Sequence, residues 1–94
     1  NGHTLVVRSD HKIISAALFQ EAGRQAKYLY QLVTVRAERG KGLAGALLDH
    51  ELRQTGDKCA FSLWVEASNS SAINLYAKYG FVRSGRELSI LTDG

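Results

Sequence analysis

The stretch RGKGLAG, from Arg39 to Gly45, places three glycines and two cations in seven residues. The run before it, LYQLVTV (Leu29–Val35), has the apolar and β-branched composition of a strand. The run after it, ALLDHEL (Ala46–Leu52), has apolar residues at helical spacing. Glycine destabilises the interior of regular structure, so three of them here indicate a turn with a special task. The sequence predicts a strand, a glycine-rich turn and a helix.

This glycine-rich turn has two interpretations. A helix start presents amide groups without partners and the positive end of the helix dipole, so with Arg39 and Lys41 it would bind an anion. Alternatively, it is a plain tight turn in which glycine only supplies a positive φ. The spacing is not that of a P-loop. Gly40, Gly42 and Gly45 match G-x-G-x-x-G, but an antiparallel hairpin precedes them where a dinucleotide-binding fold has a βαβ unit.

The other segments complete a β-β-β-α-β-α-β-β order. Apolar residues on both faces of two strands predict that these strands lie in the middle of a sheet covered on both sides, with Trp64 in the core. Gly56 and Gly80 are predicted to end the two helices, and Ser68–Ser71 to cap the second. The predicted strands are Thr4–Arg8, Ile13–Gln20, Tyr28–Val35, Cys59–Val65, FVRSG and ELSIL, and the helices run from Leu43 to Leu52 and from Ala72 to Tyr79.

Composition restricts the class of protein. A length of 94 residues with 45% hydrophobic content predicts one domain, residues 1–94. The net charge of +3 is scattered, so no nucleic-acid binding is expected, and no apolar run approaches the length that crosses a membrane. The single cysteine, Cys59, predicts a buried thiol in a reducing, cytoplasmic compartment. The chain has no methionine, so it is expected to be processed or part of a longer sequence.

No metal site is expected, because no group of His, Cys and carboxylate residues has metal-ligand spacing. The three histidines are predicted to be exposed: His3, His11 and His50.

Two motifs flank the strand that begins at Cys59. The first is LVTVRAERGKGLAGALL and the second is N..A..LYAKYGF. Together, and in this order, they resemble the GCN5-related N-acetyltransferase (GNAT) family, over Thr4 to Leu91. The family's Arg/Gln-x-x-Gly-x-Gly/Ala turn matches Arg39, Gly42 and Ala44. Its later signature matches Asn69, Ala72, Leu75, Tyr76, Gly80 and Phe81. The chain departs from the family at Arg36, where Pro is common, and in having no counterpart of the first strand and first two helices.

The resemblance implies an α/β fold of the α+β type, with a single mixed, mainly antiparallel sheet and helices on both faces. It implies an N-acetyltransferase that moves an acetyl group from acetyl-CoA to a primary amine by direct attack. In the family, acetyl-CoA lies where the strand before the turn separates from the strand after the helix, with its pyrophosphate on the turn amides. The residues implied at the coenzyme are Leu32, Val33, Thr34, Val35, Arg39, Gly40, Lys41, Gly42, Leu43, Ala44, Gly45, Asn69, Ala72 and Tyr76.

The resemblance also implies the catalytic residues. Tyr76, a phenol, would donate a proton to the departing CoA thiolate, with Tyr79 as a fallback; alternatively, Tyr76 only packs in the core. Glu66 would remove the amine's proton through water, or it is a solvated carboxylate at a strand end. Asn69 would cap the second helix and contact the pantetheine arm. Two further carboxylates are predicted to be surface charges: Glu38 and Glu21.

An alternative function is a catalytically inactive acyl-CoA-binding module with a regulatory or assembly role. The missing first elements favour it, whereas the retained Tyr76 favours an enzyme. A further alternative is a homodimer, in which a second chain completes the acceptor site through the edge of the sheet. The family's acceptor specificity depends on the segment without a counterpart here, so the sequence does not predict which amine is acetylated.

Overall fold

The computed structural model describes residues 2–55, 57–84 and 87–93. The helix stop predicted at Gly56 lies outside the described residues. The strands are β1 (Gly2–Ser9), β2 (Lys12–Glu21), β3 (Ala26–Thr34), β4 (Asp57–Trp64), β5 (Val82–Ser84) and β6 (Glu87–Asp93). The helices are α1 (Leu43–Gln54) and α2 (Ser70–Lys78), with a short 3-10 turn at Arg36–Glu38. The order predicted from the sequence is confirmed, with this additional 3-10 turn.

The six strands form one sheet in the order β1-β2-β3-β4-β6-β5. Only β3 and β4 are parallel, and the other described neighbours pair antiparallel. Asp10 and His11 form the two-residue turn between β1 and β2, with φ angles of 50° and 68°. Two left-handed residues suit the twist of a tight hairpin, which explains the close pairing of β1 and β2. The predicted mixed, mainly antiparallel sheet is confirmed.

Both described helices lie on the same face of the sheet. Leu47 and Leu48 of α1 and Tyr76 of α2 belong to one buried cluster with Phe19 and Phe61 of the sheet. The helices also touch each other, because the Tyr79 hydroxyl donates a hydrogen bond of 3.1 Å to the Gly45 carbonyl. The expectation of helices on both faces is therefore corrected for the described residues. The two crossovers advance along the sheet in the same direction, and right-handed connections then place both helices on one side.

The opposite face, here called the open face, carries exposed apolar side chains. By strand alternation and register it includes Val33, Trp64 and Val82, which are 45%, 53% and 64% exposed. The prediction that Trp64 lies in the core is wrong. Its neighbour Leu63 points toward the helices and is 1% exposed, so Trp64 must point to the face that no described helix covers.

The parallel strands β3 and β4 separate about halfway along β3 and one residue before the end of β4. They pair from Ala26↔Ala60 to Leu29↔Leu63 and no further. Beyond that point β3 stays with β2, and a bulge in their register leaves Tyr30 without a β2 partner. Strand β4 instead continues with β6 as far as Trp64. The separation leaves a gap in the sheet, here called the splay, whose β3 side has no β4 partner for its backbone groups.

A buried carboxylate joins three elements at the other end of the sheet. Glu51 of α1 has a side chain that is 5% exposed, and its Oε2 lies 2.7 Å from Lys27 Nζ and 2.8 Å from His3 Nε2. Lys27 also donates to Thr55 Oγ1, and the His3 ring stacks on Phe19 with 5.3 Å between centroids. His3 is exposed as predicted, whereas the network itself was not predicted from the sequence. Residues distant in sequence carry no local signal of a shared ion pair.

The network sets the charge state of Glu51. Burial alone would raise the pKa of Glu51, but the hydrogen bonds from Lys27 and His3 outweigh burial, so its pKa is lowered. A carboxyl group with a lowered folded-state pKa stabilises the fold above its unfolded-state pKa of about 4.3. This contribution is lost as the pH falls through the folded-state pKa.

We expect the Glu51→Gln variant to be less stable than the wild type by about 2 kcal/mol at pH 7, because Lys27 loses its buried anionic partner. The difference should shrink as the pH falls below about 4.3 and through the lowered folded-state pKa of Glu51, since the wild-type carboxylate becomes protonated there. Urea unfolding monitored by circular dichroism across this pH range measures both values. A difference that stays constant down to pH 3 would show that the charge of Glu51 is not the source of the stability.

Candidate functional site

The glycine-rich turn places α1 with its first turn open to solvent. Gly40 and Gly42 have φ angles of +81° and +80°, and a Cβ on either would meet no atom within 4 Å. The left-handed backbone, rather than crowding, therefore requires glycine within this chain. Gly42 is the N-cap of α1 and makes no side-chain cap bond, and the first amide to bond back to it is that of Ala46, at 3.0 Å. The preceding amides of α1 have no intrahelical partner and can meet an anion.

Gly45 has a different task, because it allows α1 and α2 to approach closely. A Cβ there would lie 3.1 Å from Tyr79 Oη and 3.5 Å from Leu75 Cδ1. The Tyr79 hydroxyl donates a hydrogen bond to the Gly45 carbonyl, and Tyr79 is absent from the residues that line the cavities beside the turn and the splay. Tyr79, the fallback proton donor of the sequence analysis, is thus engaged in helix packing.

Two cavities meet at the splay. The turn cavity, of about 700 Å³, is lined by Leu32, Val33, Thr34, Glu38, Arg39, Gly40, Gly42, Leu43, Ala44, Gly45, Asn69, Ser71, Ala72, Leu75 and Tyr76. The splay cavity, of about 310 Å³, is lined by Leu29, Tyr30, Gln31, Leu32, Leu63, Trp64, Val65, Glu66, Asn69, Ala72 and Tyr76. They share Leu32, Asn69, Ala72 and Tyr76. Both volumes fall within the range of small-molecule sites. Because they share four lining residues, the two cavities adjoin, and together they are here called the cleft.

The coenzyme residues named from the sequence line the turn cavity, with two exceptions, Val35 and Lys41. Lys41 Nζ instead lies 2.9 Å from Glu38 Oε1, so the pair partly cancels its own charge beside the turn. Glu38, treated as a surface charge from the sequence, does line the cavity. Ser71 and Leu75 also line it but were not assigned to the coenzyme from the sequence, although Leu75 matches the family's later signature. They lie one helical turn apart on α2, so the 3.6-residue period of that helix could have indicated Leu75 from Ser71.

The backbone of β3 is directed alternately at β2 and at the splay. The amide of Val35 donates to the Ile14 carbonyl at 2.9 Å, so it is already paired with β2. Strand periodicity directs Val33 to the same side, and directs Leu32 and Thr34 to the splay. The Thr34 carbonyl there accepts a hydrogen bond of 3.1 Å from Arg39 Nε, which holds the Arg39 side chain beside the cavity.

Tyr76 lies on the wall that the two cavities share. Tyr76 is 7% exposed, and its ring packs edge-on against the Phe81 ring with 5.7 Å between centroids. Burial raises the pKa of the Tyr76 hydroxyl. Because the ordinary value is already near 10, the phenol holds its proton at neutral pH. The ring therefore packs in the core while the residue also lines both cavities, so packing and a role in the site are compatible.

Two further residues predicted for the site have distinct positions. The Asn69 side chain caps α2 by accepting a hydrogen bond of 3.2 Å from the Ala72 amide, and the residue lines both cavities. Glu66 is exposed, follows the end of β4 and lines the splay cavity. Glu21, at the end of β2, is exposed and lines neither cavity.

Other chemistry has no support within the described residues. Cys59 is 5% exposed and burial raises the pKa of its thiol, so it resembles a packed side chain rather than a nucleophile. Over the ranges 2–55, 57–84 and 87–93, no three His, Cys, Asp or Glu residues are grouped to hold a metal ion. In the same ranges, neither helix has the length and apolar character needed to cross a membrane.

Comparison with known proteins identifies the family. Residues 1–89 match the acetyltransferase (GNAT) domain, so the chain belongs to the GNAT family. An acetyltransferase of Agrobacterium fabrum is 26% identical over 90 residues, which are 96% of this chain and 65% of that protein. The chain thus spans about two thirds of that curated relative's length.

Solved structures share the fold. The ribosomal-protein-S18-alanine N-acetyltransferase from Escherichia coli superposes with a TM-score of 0.84 at 21% identity, covering 99% of this chain and 70% of its own. The NatC complex bound to Gag peptide and CoA superposes with a TM-score of 0.71 at 23% identity, over 84% of this chain and 61% of that one. The GNAT fold implied by the two motifs is confirmed.

The left-handed turn can be tested by substitution. We expect Gly42→Ala to destabilise the fold by about 1 kcal/mol, because a Cβ disfavours φ near +80°. Gly42→Asn should cost less, since asparagine tolerates this backbone region better. Midpoints of urea unfolding for the three proteins measure the series. Equal midpoints for wild type and Gly42→Ala would mean that the turn does not need a left-handed residue.

Proposed function

We propose that this chain, as one domain of residues 1–94, transfers an acetyl group from acetyl-CoA to a primary amine by direct attack. One observation carries the proposal. A cavity at a glycine-rich helix start and a cavity at the splay share a wall that contains the buried, protonated Tyr76. Such a cleft would receive two reactants from opposite ends and bring them together at one proton donor.

The turn cavity suits the coenzyme end of acetyl-CoA. The uncapped amides that precede Ala46 would bind the pyrophosphate, and Arg39, held by the Thr34 carbonyl, would add a positive charge. Leu32 and Thr34 would offer the backbone groups of β3 that lack a β4 partner to the pantetheine arm, as an added strand does. This places the thioester at the shared wall, near Asn69 and Tyr76.

The residues of the cleft divide two proton transfers between them. Glu66 takes a proton from the acceptor ammonium through water and releases it to solvent. The free amine nitrogen then forms a bond to the thioester carbonyl carbon, the carbon–sulfur bond breaks, and the proton left on the acylated nitrogen passes through water to solvent, which gives the neutral amide. Tyr76 donates its proton to the departing thiolate and is reprotonated from solvent. The Tyr76 hydroxyl is protonated at neutral pH, because burial raises a pKa that is ordinarily about 10, so it carries a proton for the departing thiolate.

The alternative is an acyl-CoA-binding module without turnover, with a regulatory or assembly role. The chain spans 65% of its Agrobacterium relative, and the open face carries exposed Val33 and Trp64. In the further alternative, a homodimer, a second chain would complete the acceptor site through the edge of the sheet. The position of Tyr76 at the shared wall favours the enzyme. We place the protein in the cytoplasm, where Cys59 stays reduced, with no nucleic acid, membrane or metal involved.

Calorimetric titration with acetyl-CoA, followed by a thiol-release assay with a panel of primary amines, tests the proposal. We expect saturable binding in the micromolar range, typical of enzyme substrates, and thiol release that depends on an amine. Binding without thiol release from any amine would support the inactive module. No binding at millimolar acetyl-CoA would overturn both.

A matched pair of tyrosine variants tests the proton donor. Tyr76→Phe should lower kcat by about 100-fold and leave the Kd of acetyl-CoA within about twofold, because only the transferred proton is lost. Tyr79→Phe is the control: it removes the hydrogen bond to the Gly45 carbonyl, so it should lower stability by about 1 kcal/mol with little change in kcat. Steady-state kinetics and calorimetry measure these values. Equal kcat for Tyr76→Phe and wild type would exclude the donor role.

A further inference from the structure

Two exposed aromatic side chains border the splay cavity, one from each of the separating strands. Tyr30 lies in the β3 bulge and Trp64 ends β4, and each is 53% exposed. A bulge re-aims the side chain that it leaves unpaired, and strand alternation turns Trp64 away from the helices. Large aromatic groups exposed at the rim of a cavity are typical of a binding surface.

The two ends of the cleft differ in charge. The turn cavity has Arg39 and the positive end of α1, whereas Glu38 there is paired with Lys41. Among the residues that line the splay cavity, Glu66 alone is charged, and it is exposed. A carboxylate without a basic neighbour in the cavity wall attracts cations and repels anions. The splay end is therefore suited to a ligand of positive charge.

We propose that the acceptor is a cationic alkylamine with a second positive charge, and that Trp64 and Tyr30 determine this specificity. This inference rests on the proposed function. One amine reaches the shared wall at Tyr76, and the far ammonium lies against the faces of Trp64 and Tyr30. Cation–π attraction is strongest for tryptophan, and the alkyl chain gains from contact with the same rings. Glu66 contributes the negative potential that draws the amine in and rejects acceptors with a carboxylate.

Trp64 is the only tryptophan in the chain, so its fluorescence reports directly on this surface. Three probes share a four-carbon chain and one primary amine but differ at the far end: 1,4-diaminobutane, butylamine and 4-aminobutanoate. With the full chain and saturating CoA, we expect Trp64 fluorescence to change at a concentration of 1,4-diaminobutane about tenfold lower than that of 4-aminobutanoate. Butylamine should be intermediate. Equal half-saturation for the three amines, or no change with 1,4-diaminobutane, would overturn the proposal.

Substitutions distinguish the contribution of the Trp64 and Tyr30 rings from that of the Glu66 carboxylate. Trp64→Ala should raise the KM for 1,4-diaminobutane about tenfold without changing the Kd of acetyl-CoA. Trp64→Phe keeps an aromatic ring, so its KM should lie close to that of the wild type. Tyr30→Ala should raise the same KM, as Trp64→Ala does. Because Glu66 is also the proposed base, the Glu66→Gln variant is compared by the Trp64 fluorescence titration, where the roughly tenfold difference in half-saturating concentration between 1,4-diaminobutane and 4-aminobutanoate should narrow. Val82 lies on the open face but outside both cavities, so Val82→Ala is the control. It should change neither the KM for 1,4-diaminobutane nor the preference between the two probes.

The possible results distinguish a failure of the proposed acceptor specificity from a failure of the proposed acetyltransferase function. Thiol release from 4-aminobutanoate as fast as from 1,4-diaminobutane would overturn the specificity and leave the acetyltransferase intact. An unchanged KM for 1,4-diaminobutane in Trp64→Ala would exclude a role of the Trp64 ring in acceptor binding and would also leave the acetyltransferase function intact. Failure of acetyl-CoA to bind would instead overturn the proposed function. The proposed acceptor class depends on that function, so it would be overturned as well.

Discussion

The separation of β3 from β4 after Leu29 and Leu63 is the constraint on which the rest of the cleft depends. Two parallel strands that stayed paired would leave no gap in the sheet. Here the bulge at Tyr30 commits β3 to β2, while β4 follows β6. The unpaired side of β3, the start of α1 and the wall of α2 then enclose the cleft. Its geometry follows from strand pairing more than from any single side chain.

Packing between the helices holds this cleft in shape. Gly45 lets α2 come close enough for the Tyr79 hydroxyl to reach the backbone of α1, and this contact supports the wall that carries Tyr76. At the far end of the sheet, the buried Glu51 ties α1 to Lys27 of β3 and His3 of β1. Helix α1 is therefore anchored at its last turns by an ion-pair network, while its first turn stays open for a ligand.

Prediction from the sequence succeeded where a feature depends on neighbouring residues. Hydrophobic periodicity and glycine placement predicted the element order, and two motifs predicted the family, which residues 1–89 confirm. It was weakest for relations across the sheet. Trp64 stands in an apolar run and was placed in the core, but burial depends on whether a helix covers its face, which the run itself does not encode. Glu51 showed no local signal because its partners lie 24 and 48 residues away.

The sequence by itself determined the order of strands and helices, the glycine-rich turn from Arg39 to Gly45, and membership of the GNAT family. Each of these depends on residue types within a short window of chain. Only the tertiary structure decided that both described helices share a face, that Trp64 and Tyr30 border the same cavity, and that Tyr76 lies on a wall common to two cavities. These depend on which strands pair and where they part, since pairing brings together residues that no local pattern connects.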